Sequence, residues 1–326
     1  MNAIVVSQFG ESDVLVYRST DVPRLGAGQV QVRLHAAGIN PVDTYIRGGH
    51  YALGEPDLPY IPGTDGAGVI EQLGDGVAGL HVGTRVFVAG IVSKHCSGTY
   101  AEQVVCDAEA VCPLPDGLSF AQGAAVGTPG MAAYHALLVR GALRAGERVL
   151  IQGGSGGVGS LAIQIAHLVG AEVFSTAGTQ RGRELAASLG ADHVFDYHDA
   201  DFSDKLKEAS EGKGVDLIVE VLADKNLESD MDLLAKHGRL VIVGSRGSLS
   251  FTPRLAMTKE ADIRAMTLGN TPKPELRCEL RGLAAALEGG VVPVVGKVLD
   301  LQQASAAQGQ VIQKSASSCK TILRIE

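Results

Sequence analysis

The sequence predicts an α/β protein in which a doubly wound parallel sheet fills the second half of the chain, behind a β-rich region. Three features carry that expectation. From about Gly141 onward, short apolar runs alternate with stretches of helical spacing. Before that point, short strand-like runs are separated by Gly and Pro turns. A cluster of glycines sits directly where the first apolar run of the second half gives way to a helical pattern.

The N-terminal part reads as an irregular β domain. Gln29–His35 alternates, Gly68–Leu73 is apolar, and Arg85–Ala89 follows a turn at Gly83. In the second half, Arg148–Gln152 is a short apolar run. Val158, Leu161, Ala162, Ile165 and Ala166 then recur at the spacing of a helix with one buried face. Glu172–Thr176 reads as a strand, Arg183–Leu189 as a helix ended by Gly190, His193–Tyr197 as a strand and Asp201–Ser210 as a helix. Val215–Val221, a helix over Leu227–Lys236 stopped at Gly238, and the strand Arg239–Val243 continue the series. Such alternation needs right-handed crossovers, which give a parallel sheet covered on both faces. The tail from about Glu275 holds a helix, Leu276–Leu287. It ends in an apolar strand, Thr321–Ile325, whose return to the N-terminal domain would complete that domain.

A chain of 326 residues is long enough for two domains, since single cores seldom grow past about 250–300 residues. The net charge of −8 opposes a broad basic surface for nucleic acid or membrane. Aromatics make up 4% and Trp is absent, so stacking platforms for single-stranded nucleic acid are scarce. No leader pattern opens the sequence, and no apolar run approaches the roughly 20 residues that span a bilayer. The cysteines Cys96, Cys106, Cys112, Cys278 and Cys319 are scattered. They read as reduced, packed thiols in a cytoplasmic protein.

The glycine cluster has a physical reading. Gly154, Ser155, Gly156, Gly157, Val158 and Gly159 match G-x-G-x-x-G between a strand and an amphipathic helix, the setting of a Rossmann dinucleotide loop. Gly154 is expected to make the tight turn, Gly156 to let the backbone approach a pyrophosphate, and Gly159 to let helix and strand pack. The helix N-terminus would then offer N–H groups and a positive dipole end to the phosphates. An NAD site places Asp or Glu near the end of the second strand, for the ribose 2′-hydroxyl. Here Ser175, Thr176 and Ala177 occupy that place, with Arg181 and Arg183 just beyond. Hydroxyls and guanidinium groups would accept a 2′-phosphate that a carboxylate would repel, so NADPH is the expected cofactor.

Several further motifs fall in order along the chain. Ala37 to Gly49 (AGINPVDTYIRGG), Pro62 to Ile70 (PGTDGAGVI) and Gly83 to Val86 are followed by Gly146 through Gln164, Glu220 to Asn226 and Val243 to Gly247. Together they resemble the quinone oxidoreductase/zeta-crystallin family of zinc-free medium-chain dehydrogenases/reductases over nearly the whole chain. His167 departs from it, where Lys, Arg or Ser is usual. The resemblance implies a GroES-like β-rich substrate domain, residues 1-123 with 270-326, and a Rossmann domain, residues 124-269. It implies cofactor contacts from Asn40, Tyr45, Ser155–Val158, Gly178, Tyr197, Asn226, Val243, Gly244, Ser245, Arg246, Met266, Thr267 and Leu268. It also implies a homodimer or homotetramer.

Zinc-dependent relatives carry Cys near Asn40, a His-Glu pair near Pro62-Gly63 and a four-Cys lobe. This sequence has none of these, and His95-Cys96 is its one adjacent His-Cys pair, so no metal is expected. Without a Lewis acid, the acceptor must spread incoming charge by its own conjugation, as quinones and α,β-unsaturated carbonyls do. Tyr45, with Asn40, is the candidate donor to the developing oxyanion, and Asp43 or Arg47 would hold the loop by an ion pair. The resemblance favours reduction of ortho- and para-quinones. The first alternative is an NADPH-dependent 2-alkenal or enone double-bond reductase, distinguished by the loops Gly48–Pro59 and Ile91–Gly98. The second is an AU-rich RNA-binding or structural zeta-crystallin-like role, which the acidic charge and the intact glycine loop oppose.

Overall fold

The computed structural model describes residues 1–51, 54–312 and 319–325. The chain forms two compact units, Met1–Met131 with Gly269–Glu326, and Ala132–Leu268.

The second unit is built on six strands: β1 Arg148–Ile151, β2 Glu172–Thr176, β3 His193–Phe195, β4 Val215–Glu220, β5 Leu234–Ile242 and β6 Asp262–Ala265. Every neighbouring pair is parallel, in the order β3-β2-β1-β4-β5-β6. The crossover helices are α1 Gly157–Val169, α2 Gln180–Ser188, α3 Phe202–Ala209, α4 Ala223–Leu233 and α5 Pro253–Lys259. Leu150, Phe174, Ile218 and Leu240, from four adjacent strands, share a fully buried cluster with Leu206, Met231 and Leu233 of the helices. A parallel sheet sandwiched by helices buries both of its faces, which is why its strands read as continuous apolar runs.

Several elements depart from expectation, among them α5, a helix the sequence pattern does not predict, and β5, which begins at Leu234 and not Arg239. α4 runs over Ala223–Leu233 rather than Leu227–Lys236, because Leu234 is already paired with Val215 and the backbone past Leu233 belongs to the sheet. β6 carries no apolar signal. It is an edge strand in which Asp262, Ile263 and Ala265 are exposed and Arg264 is half-buried.

The first unit holds a seven-stranded sheet centred on the long strand Gln29–Gly38. Asp65–Leu73 and Gln103–Asp107 pair antiparallel with it, and so does Lys320–Arg324, in the register Ile322↔Gly38 and Leu323↔Ala37. The apolar C-terminal run therefore does return to the N-terminal strands. Arg85–Ala89, Val111–Pro113 and Val295–Asp300 extend the sheet outward. The predicted C-terminal helix spans Lys273–Glu288 and buries Leu276, Leu280, Leu283 and Leu287 along one stripe. Among the described residues, no helix is long and apolar enough to cross a membrane.

Candidate functional site

In a parallel sheet every strand points the same way, so the loops after the strands gather at one edge. That edge of the second unit collects nearly all the residues singled out as cofactor contacts. Gly154–Gly159 follow β1, Gly178 follows β2, Tyr197 follows β3, Asn226 lies in the first turn of α4, Val243–Arg246 follow β5 and Met266–Leu268 follow β6. The strand order reverses between β1 and β4, and ligands of open α/β sheets bind at such a reversal.

The glycine loop divides its labour differently from expectation. The left-handed turn falls to Gly153, with φ +70°, one residue before the matched motif. Gly154 is required instead by close packing, since a Cβ there would lie 2.0 Å from Ser175 Oγ. A Cβ on Gly159 would lie 2.3 Å from the Gly153 carbonyl oxygen, so the first turn of α1 packs closely on the loop backbone there. Gly156 is the N-cap of α1 in extended conformation. The N–H groups of the first turn, which have no intrahelical partner, thus start from a residue with no side chain to cover them.

The loop after β2 requires a correction. Ser175 and Thr176 are both 0% exposed. Ser175 Oγ donates to the Ile151 carbonyl at 3.0 Å, and Thr176 Oγ1 donates to Gln152 Oε1 at 2.7 Å. Hydroxyls expected to greet a 2′-phosphate are instead consumed in tying β2 to β1. Arg183 is also committed, to the Asp196 carboxylate and to Gln180 Oε1 at 2.9 Å. Arg181, exposed at the start of α2, has no ion-pair partner among the described residues. Gly178 and Tyr197 do come together: a Cβ on Gly178 would meet Tyr197 Oη at 2.4 Å. The Tyr197 ring packs on His198 at a centroid distance of 4.5 Å and is 52% exposed.

On the other side of the reversal, Asn226 Nδ2 donates to Glu220 Oε2 at 3.1 Å. The loop after β5 is held by a residue that sequence reasoning missed, Asp224. It accepts from the Arg246 N–H at 2.8 Å, and that bond, ahead of its neighbouring charges, draws its carboxyl below the usual range despite the opposing effect of burial. The Met266 N–H donates to the Ile242 carbonyl at 3.1 Å, which sets Met266–Leu268 beside Val243–Arg246.

Asn40 and Tyr45 lie in the first unit, at the N-cap and within the helix Pro41–Arg47. Asn40 is 4% exposed. Its amide donates to Asp65 Oδ2 at 2.8 Å and its oxygen accepts from Lys320 Nζ. One N–H of that amide is thereby committed, and the other has no partner among the described residues. Tyr45 is half-buried, and its hydroxyl makes no hydrogen bond among the described residues. Asp43 and Arg47 are not paired with each other. Asp43 Oδ2 accepts from the Asn40 N–H and from Tyr100 Oη, each at 2.8 Å. Burial pushes its carboxyl up to about 6, against those two bonds. Arg47 holds the Gly10 carbonyl at 3.1 Å and Gln308 Oε1 at 3.0 Å, with Glu11 at 3.7 Å.

Beneath Asn40 lies a second group that the sequence did not announce. Asp65, 0% exposed, accepts from Thr128 N–H and Oγ1 (both 2.7 Å), from Asn40 Nδ2 and from Lys320 Nζ at 3.0 Å. Partners so distant in sequence leave no local pattern. The polar residues Asp65 and Lys320 inside apolar strands were the available signal, because charges are almost never fully buried unless paired.

Among the described residues, no three His, Cys, Asp or Glu side chains are grouped to hold a metal ion. Among the described residues, no cysteine forms a disulfide. Cys106 and Cys112 are buried, but Cys278 is exposed rather than packed. Burial raises the Cys96 thiol to about 11.

Two family models match the chain, "zinc-binding dehydrogenase" over residues 157–285 and "alcohol dehydrogenase GroES-like domain" over residues 26–116. The quinone oxidoreductase of Homo sapiens is 41% identical over 325 residues, covering 99% of this chain and 97% of its own. A crystal structure of an NAD-dependent alcohol dehydrogenase superposes with a TM-score of 0.89 at 29% identity, over 100% of both chains. The Escherichia coli quinone oxidoreductase complexed with NADPH superposes with a TM-score of 0.84 at 27% identity, again over 100% of both.

Proposed function

Because the chain belongs to the quinone oxidoreductase family, we propose that it is an NADPH-dependent, metal-free reductase of quinones. The observation that carries the cofactor half is the glycine loop. It lies at the reversal point of a six-stranded parallel sheet, ahead of a helix of 13 residues whose N-cap is glycine. A dinucleotide pyrophosphate fits that helix end by charge and by N–H supply. Gly178 under Tyr197, Asn226, Val243–Arg246 and Met266–Leu268 line the same edge and complete the proposed contact set. No carboxylate stands at the end of β2, and exposed Arg181 is the guanidinium free to meet a 2′-phosphate. Asp196, the nearby acid, is neutralised by Arg183.

NADPH supplies the hydride. The chain's own residues bind and orient it, exclude water and stabilise the negative charge that grows on the acceptor oxygen. Tyr45 is the donor in this reading, since its hydroxyl is uncommitted whereas the Asn40 amide already gives an N–H to Asp65. The same reading takes the enzyme as a cytoplasmic homodimer or homotetramer. NADPH oxidation followed optically against ortho- and para-quinones, 2-alkenals and enones tests it. Quinones should turn over, and NADPH should work at far lower concentration than NADH. Turnover of 2-alkenals without quinones, or equal kinetics with NADH, would refute it. Tyr45→Phe should lose turnover; if it keeps full turnover while Tyr45→Ala loses it, Tyr45 is a wall and not a donor.

A further inference from the structure

A buried polar chain runs beneath the glycine loop. Glu220, at the end of β4, and Asp230, on α4, are both 0% exposed. Their carboxyl groups lie within hydrogen-bonding reach of each other. Glu220 accepts from the Leu222 N–H and from Asn226 Nδ2. Asp230 accepts through Oδ1 from Gln152 Nε2 at 2.8 Å, while its Oδ2 meets no donor among the described residues. Gln152 Oε1 in turn accepts from Thr176 Oγ1, and Thr176 Oγ1 accepts from the Gly153 N–H at 3.1 Å.

Two touching carboxylates, both out of water, are not both ionised. The side chain that carries the proton follows from the donors around each. Glu220 already receives two N–H groups. Asp230 Oδ2 receives none, and burial together with the neighbouring Glu220 charge holds the Asp230 carboxyl well above the usual range. With the proton on Asp230 Oδ2 and donated to Glu220, every member of the chain is satisfied. It then runs unbroken from the Gly153 N–H through Thr176, Gln152, Asp230 and Glu220 to Leu222 and Asn226.

We propose that Asp230 is a positioning residue for the dinucleotide. As a neutral carboxylic acid it fastens the glycine loop after β1 to the loop after β4, so that both sides of the sheet reversal are presented as one rigid rim. The inference rests on the cofactor reading above, because only a ligand lying across the reversal would feel the fastening.

Two variants separate this role from simple packing. In Asp230→Asn the amide offers an N–H to Glu220 and an oxygen to Gln152, which reproduces the neutral acid. Asp230→Leu cuts the chain on both sides. Asp230→Leu should weaken NADPH binding in a fluorescence titration by about tenfold, the equivalent of one buried hydrogen bond. Its kcat at saturating NADPH should hold, and Asp230→Asn should restore the affinity. In the ligand-free protein, Asp230→Leu should also speed amide exchange in peptides containing Gly153 and Leu222. Asp230→Asn as impaired as Asp230→Leu would overturn the proposal, as would an Asp230→Leu that lowers Tm without changing NADPH affinity. If the wild type does not bind NADPH, the cofactor reading falls. The exchange measurement then decides the fastening alone, with faster exchange supporting it and unchanged exchange overturning it.

Discussion

Replacing Asp65 with alanine should be among the most damaging single changes to the first unit, and its cost can be built up from the contacts. Asp65 is the acceptor for Thr128 N–H, Thr128 Oγ1, Asn40 Nδ2 and Lys320 Nζ, all in a site with no solvent access. Removing one partner of a buried ion pair costs about 3–5 kcal/mol, because the other charge remains without compensation. Here that charge is Lys320, 5% exposed, left with the Asn40 oxygen alone. A stranded Thr128 N–H adds about 1–3 kcal/mol. The sum of about 4–8 kcal/mol is a large share of the roughly 5–15 kcal/mol that holds a domain folded. Lys320→Met removes the cation but leaves Asp65 three donors, so its loss should be about 1–3 kcal/mol. The double variant no longer buries an orphan charge and should therefore lose less than the sum of the singles, by about 2 kcal/mol or more. The assay is urea denaturation read by hydrogen exchange in peptides from Gln29–Gly38, which reports on this unit alone. Losses that add to within about 0.5 kcal/mol would show that the pair is energetically silent and would refute the reasoning.

Two further outcomes are expected. Asp43, raised from 3.8 to about 6 by burial, keeps a proton in the folded state that the unfolded chain has already lost. Stability should fall as pH rises between about 4 and 6, by up to about 3 kcal/mol. Asp43→Asn should remove that slope, matching wild type at pH 4 and exceeding it at pH 8 in thermal melts. An unchanged slope would show that Asp43 does not titrate there. Gly178→Ala should drive Tyr197 aside, since the new Cβ would lie 2.4 Å from its hydroxyl. The clash is with the tip of a half-exposed side chain, so stability should drop by less than about 1 kcal/mol, while the KM for NADPH should rise. An unaltered KM would remove this corner from the cofactor site.

The second unit was the more legible in sequence because its structure is locally encoded. Each strand of a helix-covered parallel sheet is a short apolar run, and each crossover helix has its own period. β6 escaped because an edge strand needs no apolar face. The glycine loop was legible as a motif, but its division of labour was not. Which glycine turns and which one packs depends on Ser175, a residue from the next strand. The NADPH argument was half readable. The missing acid shows in the sequence, whereas the inward direction of Ser175 and Thr176 is set by the bonds that join β1 to β2. The two buried polar groups were the least legible. Asp65 and Lys320 come from distant parts of the chain, and Glu220 and Asp230 from a strand and the helix after it; nothing in the local pattern marks either pair as partners.

The strand Lys320–Arg324 lies against Gln29–Gly38, and that pairing orders events in time as well as in space. A chain made from its N-terminus exposes residues 1–131 before the rest of this sequence, yet this unit lacks a strand and the cation for Asp65 until Lys320–Arg324 appears. The second unit, Ala132–Leu268, is contiguous and has every strand of its sheet in hand long before then. Domains fold as units during synthesis, so the part made first is completed last. Its half-built sheet must wait with the Ala36–Gly38 end of the strand Gln29–Gly38 unpaired on one side, and unpaired strand edges are the surfaces on which chains aggregate. A stop codon placed before Lys320 therefore strips a strand from a sheet whose central strand, Gln29–Gly38, was made long before.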